Sequence, residues 1–513
     1  MCGIAGIWGE ADDPLVREMM GRLAHRGPDA EGMLHQEQGT LGHRRLSIMD
    51  PANGDQPIFN EQGTRAILAN GEIYNFPSLR EDLARRYRFR TRSDSEAALH
   101  LYDQEGAEAV QKLDGMFALA IADEQGVFLA RDPIGIKPLY YGRRNGALVF
   151  SSELKALEGR AREISEFPPG SWYHSASGMR RYYELPRPAP PEMSTNELVT
   201  ALRAKLEEAV VKRLMSDVPV GAFLSGGLDS SLIAAIARRH MPHLHTFSVG
   251  VKGSRDLEAA RLVARHLDTI HHEYFLTTEE VRALLPEIVY HLESFDQDLV
   301  PSAVPCYFVS RMAAAYVKVV LTGEGADELF AGYTYYQDIA DRATLHRELR
   351  RSVGALHNMN LQRVDRLTMA HSLEGRVPFL DVAFVEMGLA VPPELKLMER
   401  PGGGWVEKWI LRKAGEGLLP EEILWRNKEQ FDEGSGATEL LNEAVGHWLS
   451  PEAAARYAEQ WPGGNLRSQA ECVFHKLLCE AFTRPSDVLG NVARWALERD
   501  PAVAAEPGEV QGA

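Results

Sequence analysis

Cys2 combines two groups that could act together: a thiol and, once Met1 is removed, a free α-amino group on the same residue. A thiol needs a base to become a nucleophile, and a terminal amine with a pKa near ~8 can take its proton. Taken alone, a cysteine at this place would more often be a buried residue of a first strand. The other motifs of the chain decide between these two interpretations.

A glycine-containing loop at residues 225–231 could bind phosphate. It lies between an apolar predicted strand and a predicted helix, where backbone N–H groups point at an anion. Asp229 would repel a bare phosphate, so its presence favours a Mg²⁺ ion between the carboxylate and the phosphates. The loop lacks the Gly-Lys-Ser/Thr end of a Walker A motif. A helix that merely follows a glycine turn is the alternative.

A second acidic loop, residues 322–328, follows the predicted strand that ends at Leu321. Open α/β sheets bind ligands at the carboxyl ends of their strands. Three carboxylates beside two glycines suit magnesium–nucleotide chemistry or acid–base chemistry, whereas a solvated turn would carry no function.

Two kinds of fold must position these residues. The first 180 residues contain hairpin patterns and a few helical ones, which predict an α+β domain with antiparallel sheets. After a proline-rich stretch, strands alternate with helices, which predicts a parallel α/β sheet followed by a mainly helical part. We place the domains at 2–185 and 196–500, the linker at 186–195 and a disordered tail at 501–513.

Composition narrows the class of protein. With 513 residues, more than one core is expected. The net charge of −17 argues against nucleic-acid or anionic-membrane partners. Four cysteines without zinc-like spacing indicate a reducing cytoplasm. We find no signal peptide and no apolar run that could span a bilayer.

Together the motifs resemble the glutamine-dependent asparagine synthetases over nearly the whole chain. The first half is similar to class II, N-terminal-nucleophile (Ntn) glutamine amidotransferases, and the second half is similar to PP-loop synthetases. The first-half motifs are Cys2-Gly3-Ile4, His25-Arg26-Gly27-Pro28-Asp29, Arg45-Leu46-Ser47-Ile48, Asn70-Gly71-Glu72-Ile73-Tyr74-Asn75 and Ser93-Asp94-Ser95-Glu96. The second-half motifs are the two loops, the segment from Glu374 to Asp381 and the segment from Trp425 to Phe431.

The resemblance implies an Ntn-hydrolase-like sandwich of antiparallel sheets that hydrolyses glutamine. Cys2 would attack the side-chain amide and form a glutamyl thioester, while Asn70 and the Gly71 N–H stabilise the oxyanion. Arg45 would bind the α-carboxylate of glutamine, and Glu72 and Asp94 its ammonium. The full expected glutamine site consists of Arg45, Leu46, Ser47, Ile48, Met49, Asn70, Gly71, Glu72 and Asp94.

For the second half the resemblance implies adenylation of a carboxylic acid by ATP, with AMP and pyrophosphate as products. Lys428 would neutralise charge on the phosphates, and Glu324 would help form or use the acyl-adenylate. The expected ATP site consists of Leu224, Ser225, Gly226, Gly227, Asp229, Ser230, Val249, Thr322 and Gly323; Asp229 and Asp327 would hold Mg²⁺ with pyrophosphate.

One departure affects the identity of the acid. Where known members read Thr-Thr-Ile-Arg-Ala-Ser, this chain has an altered 297–303 segment, and the arginine position is Pro301. The leading hypothesis is asparagine synthesis from aspartate, ATP and glutamine. The alternatives are amidation of another acid by the same mechanism, a β-lactam-forming synthetase, and a catalytically idle sensor of nucleotide or glutamine. Family members are often dimers, so a homodimer is expected.

Overall fold

The computed structural model describes residues 2–339, 341–400 and 403–495, so the predicted tail at 501–513 lies outside the described residues. The first half contains twelve strands: β1 Cys2–Trp8, β2 Ala30–Gln36, β3 Gly39–Arg45, β4 Ile58–Phe59, β5 Ala66–Ile73, β6 Gly115–Asp123, β7 Gly126–Arg131, β8 Tyr140–Arg144, β9 Ala147–Ser151, β10 Arg162–Glu166, β11 Ser171–His174 and β12 Gly178–Arg181. Its α-helices are α1 Asp13–Arg22, α2 Phe76–Leu83, α3 Asp94–Glu105 and α4 Leu154–Leu157.

The first half is a sandwich of two antiparallel sheets, as predicted. One sheet has the order β10-β8-β9-β1-β3-β2 and the other β12-β11-β7-β6-β5-β4. Side chains of β1 alternate between two faces: Ile4 and Trp8 pack between the sheets, whereas Ala5 and Ile7 pack against α1. Helix α3 covers the outer face of the second sheet. The result is four layers with the strand of Cys2 at the centre.

The second half is built around a parallel sheet. Its strands are β13 Val220–Phe223, β14 His245–Gly250, β15 Ile270–Phe275, β16 Val319–Leu321 and β17 Glu374–Arg376, in the order β15-β14-β13-β16-β17, and a hairpin of β18 Leu397–Glu399 and β19 Trp405–Glu407 follows. All four pairings in the sheet are parallel. The two predicted ligand loops follow β13 and β16, which are neighbours, so both loops lie at one edge of the sheet.

Helices cover this sheet and form the rest of the second half. They are α5 Thr195–Lys212, α6 Leu228–His240, α7 Arg255–Leu267, α8 Thr278–Leu292, α9 Val300–Ala313, α10 Ala326–Phe330, α11 Arg342–Ala355, α12 Asn360–Met369, α13 Val382–Ala390, α14 Pro393–Lys396, α15 Trp409–Ala414, α16 Glu421–Leu424, α17 Phe431–Gly434, α18 Ala437–Trp448, α19 Pro451–Gln460, α20 Gln469–Ala481 and α21 Ser486–Leu489. Among the described residues no helix is both long and apolar enough to cross a bilayer.

A buried ion network joins the two halves. The guanidinium of Arg26 is fully buried, with Nη1 2.6 Å from Glu153 Oε1 and 2.7 Å from Asp365 Oδ2 on α12. Its Nε donates to the carbonyl of Cys2 at 2.9 Å. Arg26 and Asp365 come from opposite halves of the chain, so this pair ties the strand of Cys2 to α12. Burial raises the pKa of Asp365, but Arg26 and Lys137 more than offset this effect, and the group stays ionised.

An apolar core also crosses the boundary. Leu46, Ile48 and Met116 of the first half belong to one continuous buried cluster with Val377 and Leu380 of the second. Burial of this surface favours a fixed arrangement of the two halves, because separating them would expose apolar side chains to water.

The Asp365→Ala variant should be markedly less stable than the parent protein. It removes a buried carboxylate that both Arg26 and Arg366 contact. Glu153 and Glu293 remain as partners, but the buried positive charge is then less well compensated, which costs about 3–5 kcal/mol. Denaturant unfolding followed by fluorescence should show a lower midpoint. The matched control is Glu31→Ala, which removes the exposed partner of Arg44 and should cost below about 1 kcal/mol. Equal shifts in the two variants would contradict a stabilising role for the buried network.

Candidate active sites

The region around Cys2 presents a hydrogen-bond donor that has no acceptor among the described residues. The backbone N–H of Cys2 donates to Asn70 Oδ1 at 3.0 Å, which fixes the orientation of the Asn70 amide. The Nδ2 group of Asn70 is buried and has no acceptor among the described residues. A buried donor without a partner is costly unless a ligand supplies the acceptor. The arrangement therefore suits an oxyanion that forms beside Cys2.

Gly71 brings the backbone close to this point. Its φ is +150°, and a β-carbon here would lie 1.9 Å from the carbonyl oxygen of Met116 on the neighbouring strand. Any larger residue would force β5 and β6 apart, so glycine is required. The close pairing places the backbone of Gly71 directly after the Asn70 amide.

Arg45 holds the adjoining loop. Its guanidinium donates to Asp55 Oδ1 at 2.6 Å and to the carbonyls of Met49, Asp50 and Pro51. The segment Leu46, Ser47, Ile48 and Met49 runs from the end of β3 into this loop; Leu46 and Ile48 are buried, and Ser47 N–H donates to Asp29 Oδ2 at 2.8 Å. Arg45 thus shapes the wall beside Cys2, and the exposed Asp55 is the partner that a substrate carboxylate could replace.

Two buried carboxyl groups complete this site. Burial raises the pKa of Asp94 to about 6, although its Oδ2 accepts the Ile73 N–H at 2.6 Å. Burial, Glu374 and Asp94 raise the pKa of Glu72 well above its usual value, and one oxygen of Glu72 has no hydrogen-bond partner among the described residues. A bound ammonium group would lower the raised pKa of both carboxyl groups and stabilise their charged forms.

Burial also raises the pKa of the Cys2 thiol, while the Leu46 N–H and Arg45 act in the opposite direction. A thiol in this state needs a nearby base before it can attack.

The loop after β13 has a backbone geometry that suits a phosphate group. Ser225 and Ser230 lie with their hydroxyl oxygens 3.1 Å apart, and Gly227 N–H donates to Ser225 Oγ at 3.3 Å. Gly226 has φ +76°, and a β-carbon there would lie 2.4 Å from the backbone nitrogen of Ala260, which excludes other residues. Gly227 is the N-cap of α6, so the positive end of that helix faces the loop.

The acidic loop touches the phosphate loop. A β-carbon at Gly323 would lie 2.9 Å from the β-carbon of Asp229, so the two backbones approach closely. The Lys408 ammonium lies 2.5 Å from Asp229 Oδ2 and 2.7 Å from Asp327 Oδ1, and Lys428 lies 2.9 Å from Asp327 Oδ2. Burial would raise the pKa of Asp327, but the two lysines lower it well below its usual range. Two carboxylates and two ammonium groups therefore form one cluster of ion pairs where the two loops meet.

These loops border one cavity of about 250 Å³. It is lined by most of the expected ATP-site residues, namely Leu224, Ser225, Gly227, Asp229, Ser230, Val249, Thr322 and Gly323, together with Glu324, Asp327 and Lys428. The structure thus brings together residues that are up to about two hundred positions apart in the chain. Gly226 is the one member of the expected ATP set that does not face the cavity; it packs against α7 instead.

Two cavity residues were missed by sequence analysis. Lys408 lies outside every motif, and its φ of +55° is unusual for a side chain of this size, a strain that often accompanies a functional position. Arg363 on α12 donates from Nη2 to Glu324 Oε1 at 2.5 Å. Pro301 lies in the first turn of α9 and is not among the cavity-lining residues, whereas Ser302 is.

The fold and these two sites define a class, a glutamine amidotransferase joined to a nucleotide-dependent synthetase. Comparison with known families agrees. A model described as a glutamine amidotransferase domain matches residues 1–180, and one described as asparagine synthase matches residues 201–343 and 337–498. The chain belongs to the glutamine-hydrolysing asparagine synthetase family.

Individual relatives match nearly end to end. The chain is 39% identical to asparagine synthetase (glutamine-hydrolyzing) 2 of Oryza sativa subsp. japonica, over 98% of this chain and 88% of that protein. It is 42% identical to asparagine synthetase (glutamine-hydrolyzing) 2 of Arabidopsis thaliana, over 98% and 90%. A solved glutamine phosphoribosylpyrophosphate amidotransferase from B. subtilis aligns at 21% identity with a TM-score of 0.31, over 49% of this chain and 67% of that chain.

Glutamine binding should weaken as pH falls through about 6, because protonation of Asp94 removes a charge that an ammonium group needs. In a Cys2→Ala background, which prevents turnover, calorimetry should give a dissociation constant about tenfold higher at pH 5 than at pH 7. Adding Asp94→Asn should weaken binding at pH 7 and flatten the profile. The same pH slope with and without Asp94 would rule out this role.

Proposed function

We propose that this protein makes asparagine from aspartate, ATP and glutamine, releasing AMP, pyrophosphate and glutamate. The observation that best supports this proposal is that one chain holds both sites. Cys2 lies beside an amide donor that has no acceptor in the described part of the chain, and two loops of the nucleotide-binding type border one cavity. Relatives named as glutamine-hydrolysing asparagine synthetases match 98% of the chain, so amidation of a different acid is not favoured.

The first reaction is hydrolysis of glutamine. We propose that Met1 is removed and that the new α-amino group takes the proton of the Cys2 thiol, which then attacks the side-chain amide. Asn70 Nδ2 and the Gly71 N–H stabilise the tetrahedral oxyanion; loss of such a donor typically lowers rates by about 10²–10³-fold. Ammonia leaves, and water releases glutamate from the thioester. Arg45, Glu72 and Asp94 position the α-carboxylate and ammonium of the substrate.

The second reaction activates aspartate. Its β-carboxylate attacks the α-phosphorus of ATP, forms an acyl-adenylate and displaces pyrophosphate. Ser225, Ser230 and the loop N–H groups bind phosphate oxygens, and Lys408 and Lys428 balance the charge that grows on the leaving pyrophosphate. Glu324 takes a proton from ammonia as it attacks the acyl carbon, and AMP leaves.

The residues also fit a magnesium ion. Asp229 Oδ1 is buried without a partner among the described residues. The carboxylates of Asp229 and Asp327 both contact Lys408, so they lie close together. Carboxylate oxygens beside nucleotide phosphates are the ligands that Mg²⁺ prefers. When bound, the ion would neutralise phosphate charge, with Asp229 and Asp327 as its protein ligands.

Ammonia must cross between the sites, and we propose that it passes through the shared apolar core. Leu46 and Met116 border the first site, and Leu380 packs against Gly325 beside Glu324. Apolar walls favour neutral ammonia over ammonium, which keeps the molecule nucleophilic.

The described cysteines are free thiols, in keeping with a cytoplasmic location. A homodimer and the domain limits 2–185 and 196–500 stay predictions.

The Cys2→Ala variant should lose glutamine-dependent synthesis but retain synthesis from ammonium chloride, because the second site does not need the thiol. Glutamate and asparagine are measured separately by chromatography. The first-site control is Cys306→Ala, which removes a thiol from the second half and should retain glutamate release. Loss of both activities in Cys2→Ala would contradict two separable sites. Intact mass showing Met1 still attached to active enzyme would refute the amine as base.

The Asp229→Ala variant should stop aspartate-dependent pyrophosphate release while glutamine hydrolysis continues. Removing this carboxylate takes away a ligand for magnesium and the partner of Lys408. Pyrophosphate is measured by a coupled assay with aspartate and ATP, and glutamate is measured in the same samples. Asp268→Ala, a highly exposed carboxylate of the same domain, is the control. Release at the parental rate would remove the proposed role of Asp229.

A further inference from the structure

Helix α12 brings an arginine into the cavity beside the segment that departs from the family pattern. Position 301 is a proline, which offers neither charge nor a backbone donor. The next residue, Ser302, faces the cavity and accepts a hydrogen bond of 2.6 Å from Arg363 Nη1. Arg363 therefore supplies a guanidinium next to the place where this chain has no charge.

Arg363 is built into the site and is not a surface cation. Only 7% of the residue is exposed, and Nη2 is 2.5 Å from Glu324 Oε1. Its Nε is buried with no hydrogen-bond partner in the part of the chain that the structure describes. Burial lowers the pKa of Arg363, but Glu324 more than offsets this, so the charge persists. The guanidinium thus has one donor to spare and lines the cavity.

The other cations that line the cavity are engaged on the phosphate side. Lys408 and Lys428 contact Asp229 and Asp327, as described above. Arg426 contacts Asp256 and Glu429, and Arg412 contacts Glu407 and the carbonyls of 407, 424 and 426. Among these five side chains, Arg363 alone has Glu324 and Ser302 as partners, which places it at the end of the cavity where the acid must react.

We propose that Arg363 binds the α-carboxylate of aspartate, the carboxylate that is not adenylated. This inference rests on the proposed function. Guanidinium groups bind carboxylates in a planar, often bidentate geometry, and a free Nε adds a direction for such a bond. With the α-carboxylate held there, the β-carboxylate remains free for the α-phosphate, and Glu324 stays beside the acyl carbon.

The test separates binding of the α-carboxylate from a merely structural effect. Two analogues of aspartate serve as competitive inhibitors: succinate, which keeps both carboxylates, and β-alanine, which lacks the α-carboxylate. In Arg363→Gln, KM for aspartate and the inhibition constant of succinate should both rise by about 30- to 100-fold. The inhibition constant of β-alanine and KM for ATP should change less than about threefold. In Arg363→Lys, KM for aspartate and the inhibition constant of succinate should lie between the values of the parent and of Arg363→Gln.

Two results would overturn the assignment. One is a fall in kcat with unchanged KM for aspartate, which would make Arg363 a positioning residue for Glu324. The other is an equal loss of affinity for succinate and β-alanine, which would indicate a general distortion of the pocket. The control is Arg311→Gln on α9, an arginine that contacts Tyr274 and Glu280 and does not line the cavity; its kinetics should match the parent.

A folding check and a second variant complete the test of Arg363. Glutamine hydrolysis by each variant reports whether the protein is folded. If Arg363→Gln fails to fold, Ser302→Ala decides, because it removes the 2.6 Å hydrogen bond that orients the guanidinium. It should raise KM for aspartate by about 3- to 10-fold, and an unchanged KM would refute the proposal. Parent enzyme that releases no pyrophosphate with aspartate would instead refute the proposed function.

Discussion

The buried guanidinium of Arg26 is the contact on which the arrangement of both sites depends. It binds the carbonyl of Cys2, the carboxylate of Glu153 and, across the domain boundary, the carboxylate of Asp365. Removing a charged group from water is expensive, so such a pair persists only where the geometry is well satisfied. Here it fixes the strand of Cys2 against α12. Two residues before Asp365, the same helix carries Arg363 to the second cavity.

One helix therefore sets the position of two chemical centres. The position of the first site is fixed through the backbone, because Arg26 donates a hydrogen bond to the carbonyl of Cys2. The position of the second site is fixed through side chains, because Arg363 donates hydrogen bonds to Glu324 and Ser302. The apolar core between the halves fills the remaining space. A shift of α12 would disturb both reactions together.

The sequence predicted most of the fold and most of the residues that line the cavity, because both depend on local patterns. The glycine loop at 225–231 lies between a strand and a helix, and β6 and β7 form one of the hairpins that local patterns predict for the first 180 residues. Strand β17 gave no such signal, because two of its three residues are buried charges, Glu374 and Arg376. They pair with each other at 2.6 Å, and Arg376 also lies 3.5 Å from Glu72, about three hundred positions away in the chain. Helix α9 contains Pro305 in its interior, which local rules oppose and tertiary packing permits. Lys408 and Arg363 could not be recognised, because their partners are 39 to 179 positions away.

The two lysines that contact Asp229 and Asp327 also bear on how the catalytic cycle closes. In the free protein these ammonium groups are already neutralised by the carboxylates around them. In the proposed reaction, an incoming triphosphate would compete with these internal anions, so part of its binding energy would be spent on exchanging partners. The reverse exchange would favour release of pyrophosphate, because the protein recovers its own ion pairs as the product leaves. Such an exchange would limit product inhibition and would weaken the initial binding of ATP.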